Sequence, residues 1–170
     1  QIIGESRSGK DYIPLLEQYS NQNTLIYGLY NEQASQYVLE HNYPAAAQAL
    51  HAALTRAEAQ SKFEDLAIIK SNLASIYLLQ GRYEEAIGLE ESYLKYVESK
   101  KDQAEQAASS TRIALIQAYA KQYRAAENSI IRKAIPLFNR SKFYSGKAYG
   151  WIILAEIYRF QNKHTEAQWF

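Results

Sequence analysis

Gly4-Glu5-Ser6-Arg7-Ser8-Gly9-Lys10 has the G-x-x-x-x-G-K spacing of a loop that cradles phosphates. The next residue should be Ser or Thr, to hold magnesium. It is Asp11, whose charge repels phosphate. No strand-rich segment follows to supply the sheet such a loop sits in, so the stretch reads as a terminal arm. His41, His51 and His164 are scattered, and no His-x-x-x-His or Glu-x-x-His spacing places two ligands on one helical face. Carboxylates pair at Glu64-Asp65, Glu84-Glu85 and Glu90-Glu91. The first two pairs suit helix starts, where the macrodipole favours negative charge. Glu90-Glu91 falls later in a helix and is expected on its solvated back. No serine lies in a G-x-S-x-G context. The expectation is a chain that is not an enzyme, with no catalytic residue, no metal and no cofactor.

Composition agrees. The 170 residues contain no cysteine, which excludes disulfides, thiol catalysis and thiolate-bound metals. An apolar fraction of 47% suits a globular core, and 7 Gly with 3 Pro are too few for a turn-rich β-sandwich. No apolar run approaches the roughly 18 residues needed to span a bilayer, so no membrane insertion is expected. Methionine is also absent. Gln1 is therefore either a trimmed end or a mature terminus left by signal cleavage, and the sequence does not choose. A cytoplasmic address is favoured; an exported or periplasmic one applies if Gln1 is a mature terminus. Charge is unevenly spread: residues 1–105 hold 15 acidic and 9 basic side chains, residues 106–170 hold 3 and 10.

The elements that position these residues follow from a repeat. Asn72 to Ile87, NLASIYLLQGRYEEAI, reads as a helix end, a turn at Gly81 and a second helix start. Gly81 can take the left-handed conformation that ends a helix. Tyr43, Tyr83, Tyr123 and His164 recur at spacings of 40, 40 and 41 residues, and so do Ala34, Ala74, Ala114 and Ala155, and Ala46, Ala86, Ala126 and Ala167. Three columns in one register mark an internal repeat.

The division is an N-terminal arm and capping helix over 1–23, then four repeats at about 24–61, 62–101, 102–142 and 143–170. The arm covers 1–10, and the capping helix runs from Asp11 to Ser20 with Pro14 in its first turn. Paired helices are predicted from Thr24 to Glu40 and from Pro44 to Ala59. The next pairs are Phe63 to Gln80 with Arg82 to Ser99, and Gln103 to Ala120 with Gln122 to Asn139. Pro136 should bend or shorten the last of these. The fourth repeat starts near Tyr144, breaks at Asn162-Lys163 and has only His164 to Phe170 as its second helix. With Trp169 and Phe170 left uncovered, the natural protein is expected to continue.

The pattern resembles the tetratricopeptide repeat, on Trp151, Leu154, Ala155, Tyr158 and Ala167 in the fourth copy and on Leu73, Ala74, Tyr77, Gly81, Tyr83 and Ala86 in the second. The first copy has Tyr30, Ala34, Tyr37, Tyr43 and Ala46, with Gln33 where Leu is usual. The third has Ile113, Ala114, Tyr123 and Ala126, with Gln117 in place of the aromatic. The period departs from the usual 34 residues and looks like the long variants of kinesin light chains and of bacterial sensor and regulator proteins. The resemblance implies an all-α fold, a right-handed α-solenoid of antiparallel helix pairs stabilised by stacking. Tyr37, Tyr77, Tyr83, Tyr123, Trp151 and Tyr158 then read as packing residues.

The resemblance also implies a concave groove lined by each repeat's first helix. The groove residues would be Ile68, Ser71, Asn72, Ser75 and Leu79, then Thr111, Arg112, Leu115 and Tyr119, then Tyr149, Ile152, Ile153, Glu156 and Arg159. Asn72 and Arg112 fall on slots that in co-chaperone relatives hold an acidic peptide tail. Asn31, Ser35 and Ala108 do not complete that clamp. The implied role is a non-catalytic scaffold for a protein or peptide partner, or alternatively the sensory segment of a larger bacterial signalling or transcription-regulatory protein. Arg124, Arg132, Lys133, Arg140, Lys142 and Lys147 cluster late in the chain. They read as a solvated convex face, or as a surface for an anionic protein or for a homo-oligomer through the truncated C-terminal end. Nucleic acid is not expected, because no aromatics interleave with these cations as a stacking platform requires.

Overall fold

The computed structural model describes residues 23–169. The arm, the capping helix and the phosphate-loop spacing at Gly4 lie outside the described residues. Within them the chain is helical between short turns, with no strand. Five helices of 17 residues come first: α1 (Asn23–Leu39), α2 (Tyr43–Ala59), α3 (Phe63–Leu79), α4 (Tyr83–Ser99) and α5 (Gln103–Tyr119). Then come α6 (Tyr123–Asn128), a π-helical segment (Ser129–Ala134), α7 (Ile135–Ser141), α8 (Tyr144–Phe160) and α9 (His164–Ala167). This is an all-α arrangement of stacked antiparallel helix pairs.

One local device ends most of these helices. His41, Ser61, Lys101, Lys121, Lys142 and Asn162 all have φ between 53° and 61°. At Lys101 the left-handed residue donates its N–H to the Glu98 carbonyl at 3.0 Å, and the next N–H, of Asp102, reaches back to Val97 at 3.3 Å. Lys121 and Gln122 repeat the pattern onto Ala118 and Gln117, at 3.0 and 2.8 Å. These paired bonds satisfy carbonyls that a helix end leaves open. Gly81 has the same sign of φ, +74°, at no steric cost. Two of the following helices carry side-chain caps: Asn42 accepts from the Ala45 N–H at 3.2 Å and Asp102 from the Glu105 N–H at 3.0 Å.

The chain falls into two compact units, Gln1–Gln80 and Gly81–Phe170. In the first, α2 packs against both α1 and α3. It can do so because Ala46, Ala49, Ala53 and Ala57 are buried on it, and small side chains let backbones approach. Leu50, Ile69 and Leu73 fill the interior, each fully buried and each worth about 1.5–3 kcal/mol by transfer from water. Tyr77 is buried, with its hydroxyl 2.9 Å from His51 Nε2.

In the second unit the core gathers Ala107, Ala114, Ile130, Ile135, Phe138, Leu154 and Ile157. Trp151 and Tyr158 pack half-buried against it rather than enclosed in it, and Tyr83 and Tyr123 are also only half-buried. Pro136 does not shorten its helix; the helical path continues to Ser141. A proline has no N–H for the carbonyl four residues back, and its ring crowds that carbonyl. The backbone widens just before it, where the Ile135 N–H donates to Ile130, five residues back. The extra residue keeps Ile130, Ala134, Ile135 and Phe138 on the core side.

Candidate functional site

Two sets of first-helix residues can be built up separately, one per unit. In the first unit, the face of α3 that does not pack carries Ile68, Ser71, Asn72, Ser75 and Leu79, all exposed or half-exposed. Their spacing of three and four residues sets them on one side, opposite buried Leu73, Ile76 and Tyr77. Asn72 Nδ2 donates to Asn31 Oδ1 of α1 at 3.0 Å. A shallow cleft of about 200 Å³ lies beside this amide pair, lined also by Ser35, Val38 and Ser75. The free Asn72 carbonyl and Asn31 amide can serve an extended peptide backbone, which presents one donor and one acceptor per residue.

In the second unit, α5 and α8 pack together, and their outward side chains form a different surface. Tyr119 is 47% exposed, Tyr149 48% and Ile152 60%. Leu115 is half-buried beneath, and Tyr119 meets Phe160 edge-on with ring centroids 5.3 Å apart. Glu156 and Arg159 close on each other at 2.7 Å, leaving the rim polar but internally neutral. Thr111 and Ile153, expected in the groove, are not available to a ligand. Thr111 is fully buried with its hydroxyl on the Ala107 carbonyl at 2.9 Å, and Ile153 belongs to the core. The helical period explains both: Ile153 is one residue round from exposed Ile152, and Thr111 one round from half-exposed Arg112, so each turns inward.

Arg112 has a different job from the one its position suggested. Its Nε donates to Glu90 Oε1 of α4 at 2.8 Å and its Nη2 to Glu105 Oε1 at 3.0 Å. Ser109 Oγ donates to the same Glu90 oxygen at 2.9 Å, and the Tyr93 hydroxyl to Glu105 at 3.0 Å. The guanidinium lies over the Tyr93 ring at 5.3 Å. Burial pulls the Arg112 pKa down, but Glu90 and Glu105 more than offset this and hold it above its usual value. Burial and the Glu105 charge push the Tyr93 phenol up to about 12. The arginine is committed to a structural network between α4 and α5, so it is a poor grip for a peptide carboxylate.

Glu90 overturns the expectation of a solvated back face: it is 1% exposed. A signal for this lay in the register. Forty residues either side stand Leu50 and Ile130, both fully buried, so Glu90 occupies a core column. Ser109 likewise stands forty residues after buried Ile69.

Among the described residues no cluster of His, Asp or Glu could hold a metal ion, and no helix is long and apolar enough to cross a membrane. No protein-family model and no curated protein matches the chain. Solved structures do. BtubC (BKLC) from P. vanneervenii aligns with a TM-score of 0.77 at 18% identity, over 94% of this chain and 66% of that one, just under two thirds of its length. Two structures of a putative kinesin light chain from Podosopora anserina, with nearly identical TPR-like repeats, align with TM-scores of 0.78 and 0.76 at 15% identity. They are covered over 94% of this chain and 78% and 79% of those. At such identities the likeness is one of fold, and it places the chain's architecture among TPR-like helical repeats.

Proposed function

We propose that this chain is a non-catalytic scaffold that binds protein or peptide segments on its first-helix faces. The observation that carries the reading is the exposed trio Tyr119, Tyr149 and Ile152 on α5 and α8. Aromatic and aliphatic side chains left in water, above a packed Leu115 and beside a polar Glu156–Arg159 rim, have the composition of an interaction hot spot. In the first unit, Ser71, Asn72, Ser75 and Leu79 form a more polar surface suited to backbone hydrogen bonds. Proteins with kinesin-light-chain repeats of this fold support the class of role. The sensory-segment alternative would use the same faces, and an output domain encoded beside this chain would favour it.

The direct test is a peptide array or pull-down comparing wild type with Tyr119→Ala and Ile152→Ala. Both side chains are exposed, so both variants should fold. A retained partner whose binding is unchanged in both would remove the α5–α8 face from consideration. Arg112→Glu would test folding instead, since Arg112 is tied to Glu90 and Glu105.

A further inference from the structure

A second surface in the Gly81–Phe170 unit is independent of those faces. A cleft of about 220 Å³ lies where α4, α5 and the π segment with α7 meet. Its walls carry three cations, Arg132, Lys133 and Arg140, against the single anion Glu98, with Leu94 and Leu137 supplying apolar wall. Among the described residues neither Arg132 nor Lys133 makes an ion pair, whereas Arg82, Arg112 and Arg159 each hold a carboxylate. Three like charges around one cleft repel one another until an anion arrives. The π segment is what sets two of them there: Arg132 and Lys133 lie inside it, while Ile130, Ala134 and Ile135 stay in the core. Such segments recur at functional sites.

We infer that this cleft takes an acidic peptide segment, one carrying a carboxylate side chain next to a leucine-like one. Arginine holds carboxylates through two parallel bonds, and Leu94 and Leu137 offer the neighbouring aliphatic group a dry contact. Size favours a side chain over a cofactor, since small-molecule pockets run to about 300–1,000 Å³. The cleft differs from the first-helix faces in position and in charge: it is built mainly from second helices, and it is cationic where those faces are neutral.

The probe is a short fluorescein-labelled peptide of alternating Glu and Leu, with a Gln-for-Glu counterpart, followed by fluorescence anisotropy. Binding should require the carboxylates and weaken with added salt. The double reversal Arg132→Glu/Lys133→Glu should weaken it by about tenfold or more. The matched reversal Arg124→Glu/Lys142→Glu, equal in net charge and outside the cleft, should change it by about twofold or less. Circular dichroism confirms folding, and Arg132→Gln/Lys133→Gln replaces the reversal if that variant melts early. Equal losses in the two reversals, or equal binding of the Gln peptide, would overturn the inference. So would single-stranded RNA binding with the same residue dependence while the acidic peptide fails to bind. Because the Tyr119 and Ile152 variants leave the cleft intact, failure here is separable from failure of the scaffold reading.

Discussion

Arg112 of α5 is tied to Glu90 of α4 through a 2.8 Å bond from Nε to a carboxylate that is 1% exposed. A carboxylate so buried needs compensating partners, and the guanidinium and the Ser109 hydroxyl are two of them. Arg112→Ala takes the guanidinium away from that buried carboxylate and should cost about 3–5 kcal/mol of unfolding free energy. Replacing the pair by apolar residues is a different matter. Glu90→Leu with Arg112→Met restores the residue type found at Leu50 and Ile130 in the same column, and should return most or all of the loss. Urea titrations of the single and double variants measure both. A single variant as stable as wild type would mean that the buried pair contributes nothing.

The same network fixes a pH dependence. In the fold the Tyr93 phenol is pushed up to about 12, chiefly by burial and then by the Glu105 charge, from an unfolded value of 10.0. A raised folded pKa means the native state holds this proton longer. Its stabilisation is complete below the unfolded value and is lost as pH climbs between the two. Wild type should therefore lose its stability margin over Tyr93→Phe in that window, and the tyrosinate difference spectrum of the pair should show a midpoint near the higher value. A midpoint at the ordinary tyrosine value would mean that the Tyr93 phenol is neither buried nor held against Glu105.

Two helical glycines should respond to alanine with opposite signs. A Cβ at Gly146 of α8 would come within 2.5 Å of ring atoms of both Phe138 and Phe143. Phe143 is 46% exposed and can swing away, but Phe138 is 1% exposed and cannot. Overpacking costs about 1–3 kcal/mol, enough to outweigh the roughly 1 kcal/mol that alanine gains over glycine in a helix. At Gly88 of α4 nothing lies within 4 Å, so Gly88→Ala keeps the helical gain and should raise the melting temperature. Thermal unfolding followed by circular dichroism separates the two cases.

Much of this fold was legible because hydrophobic period and turn spacing are local properties. The start of α2 with Pro44 in its first turn, the end of α4 at Ser99 and the break at Asn162 could all be read from the chain. Local reading fails where a side chain's environment comes from another helix. Glu90 looked like one member of a surface carboxylate pair until α5 placed Arg112 and Ser109 against it. Arg112 looked like a ligand grip for the same reason. Thr111 and Ile153 sit beside half-exposed Arg112 and exposed Ile152, and one step of helical rotation separates groove from core, finer than a period estimate resolves. The π segment had a cause in the sequence, Pro136, but proline alone does not say whether a helix bends, stops or widens.

The helix-ending turns give a last pair of opposed outcomes. Gly81 was the turn residue that the sequence marked, yet Lys101 and Lys121 hold the same left-handed conformation at φ 58° and 61°. For a side-chain-bearing residue that conformation costs about 1–2 kcal/mol, partly offset by the greater unfolded-state entropy of glycine, roughly 0.5–1 kcal/mol. Lys101 and Lys121 are exposed, so Lys101→Gly and Lys121→Gly remove strain without opening a cavity. Each should stabilise by about 0.5 kcal/mol or slightly more. Gly81→Ala runs the other way and should cost about 1 kcal/mol, since a Cβ is then forced into the same region. Chemical denaturation of the three variants, read as a shift in midpoint at constant slope, decides the matter. If Lys101→Gly and Gly81→Ala moved the midpoint in the same direction, backbone conformation would not be what governs these turns.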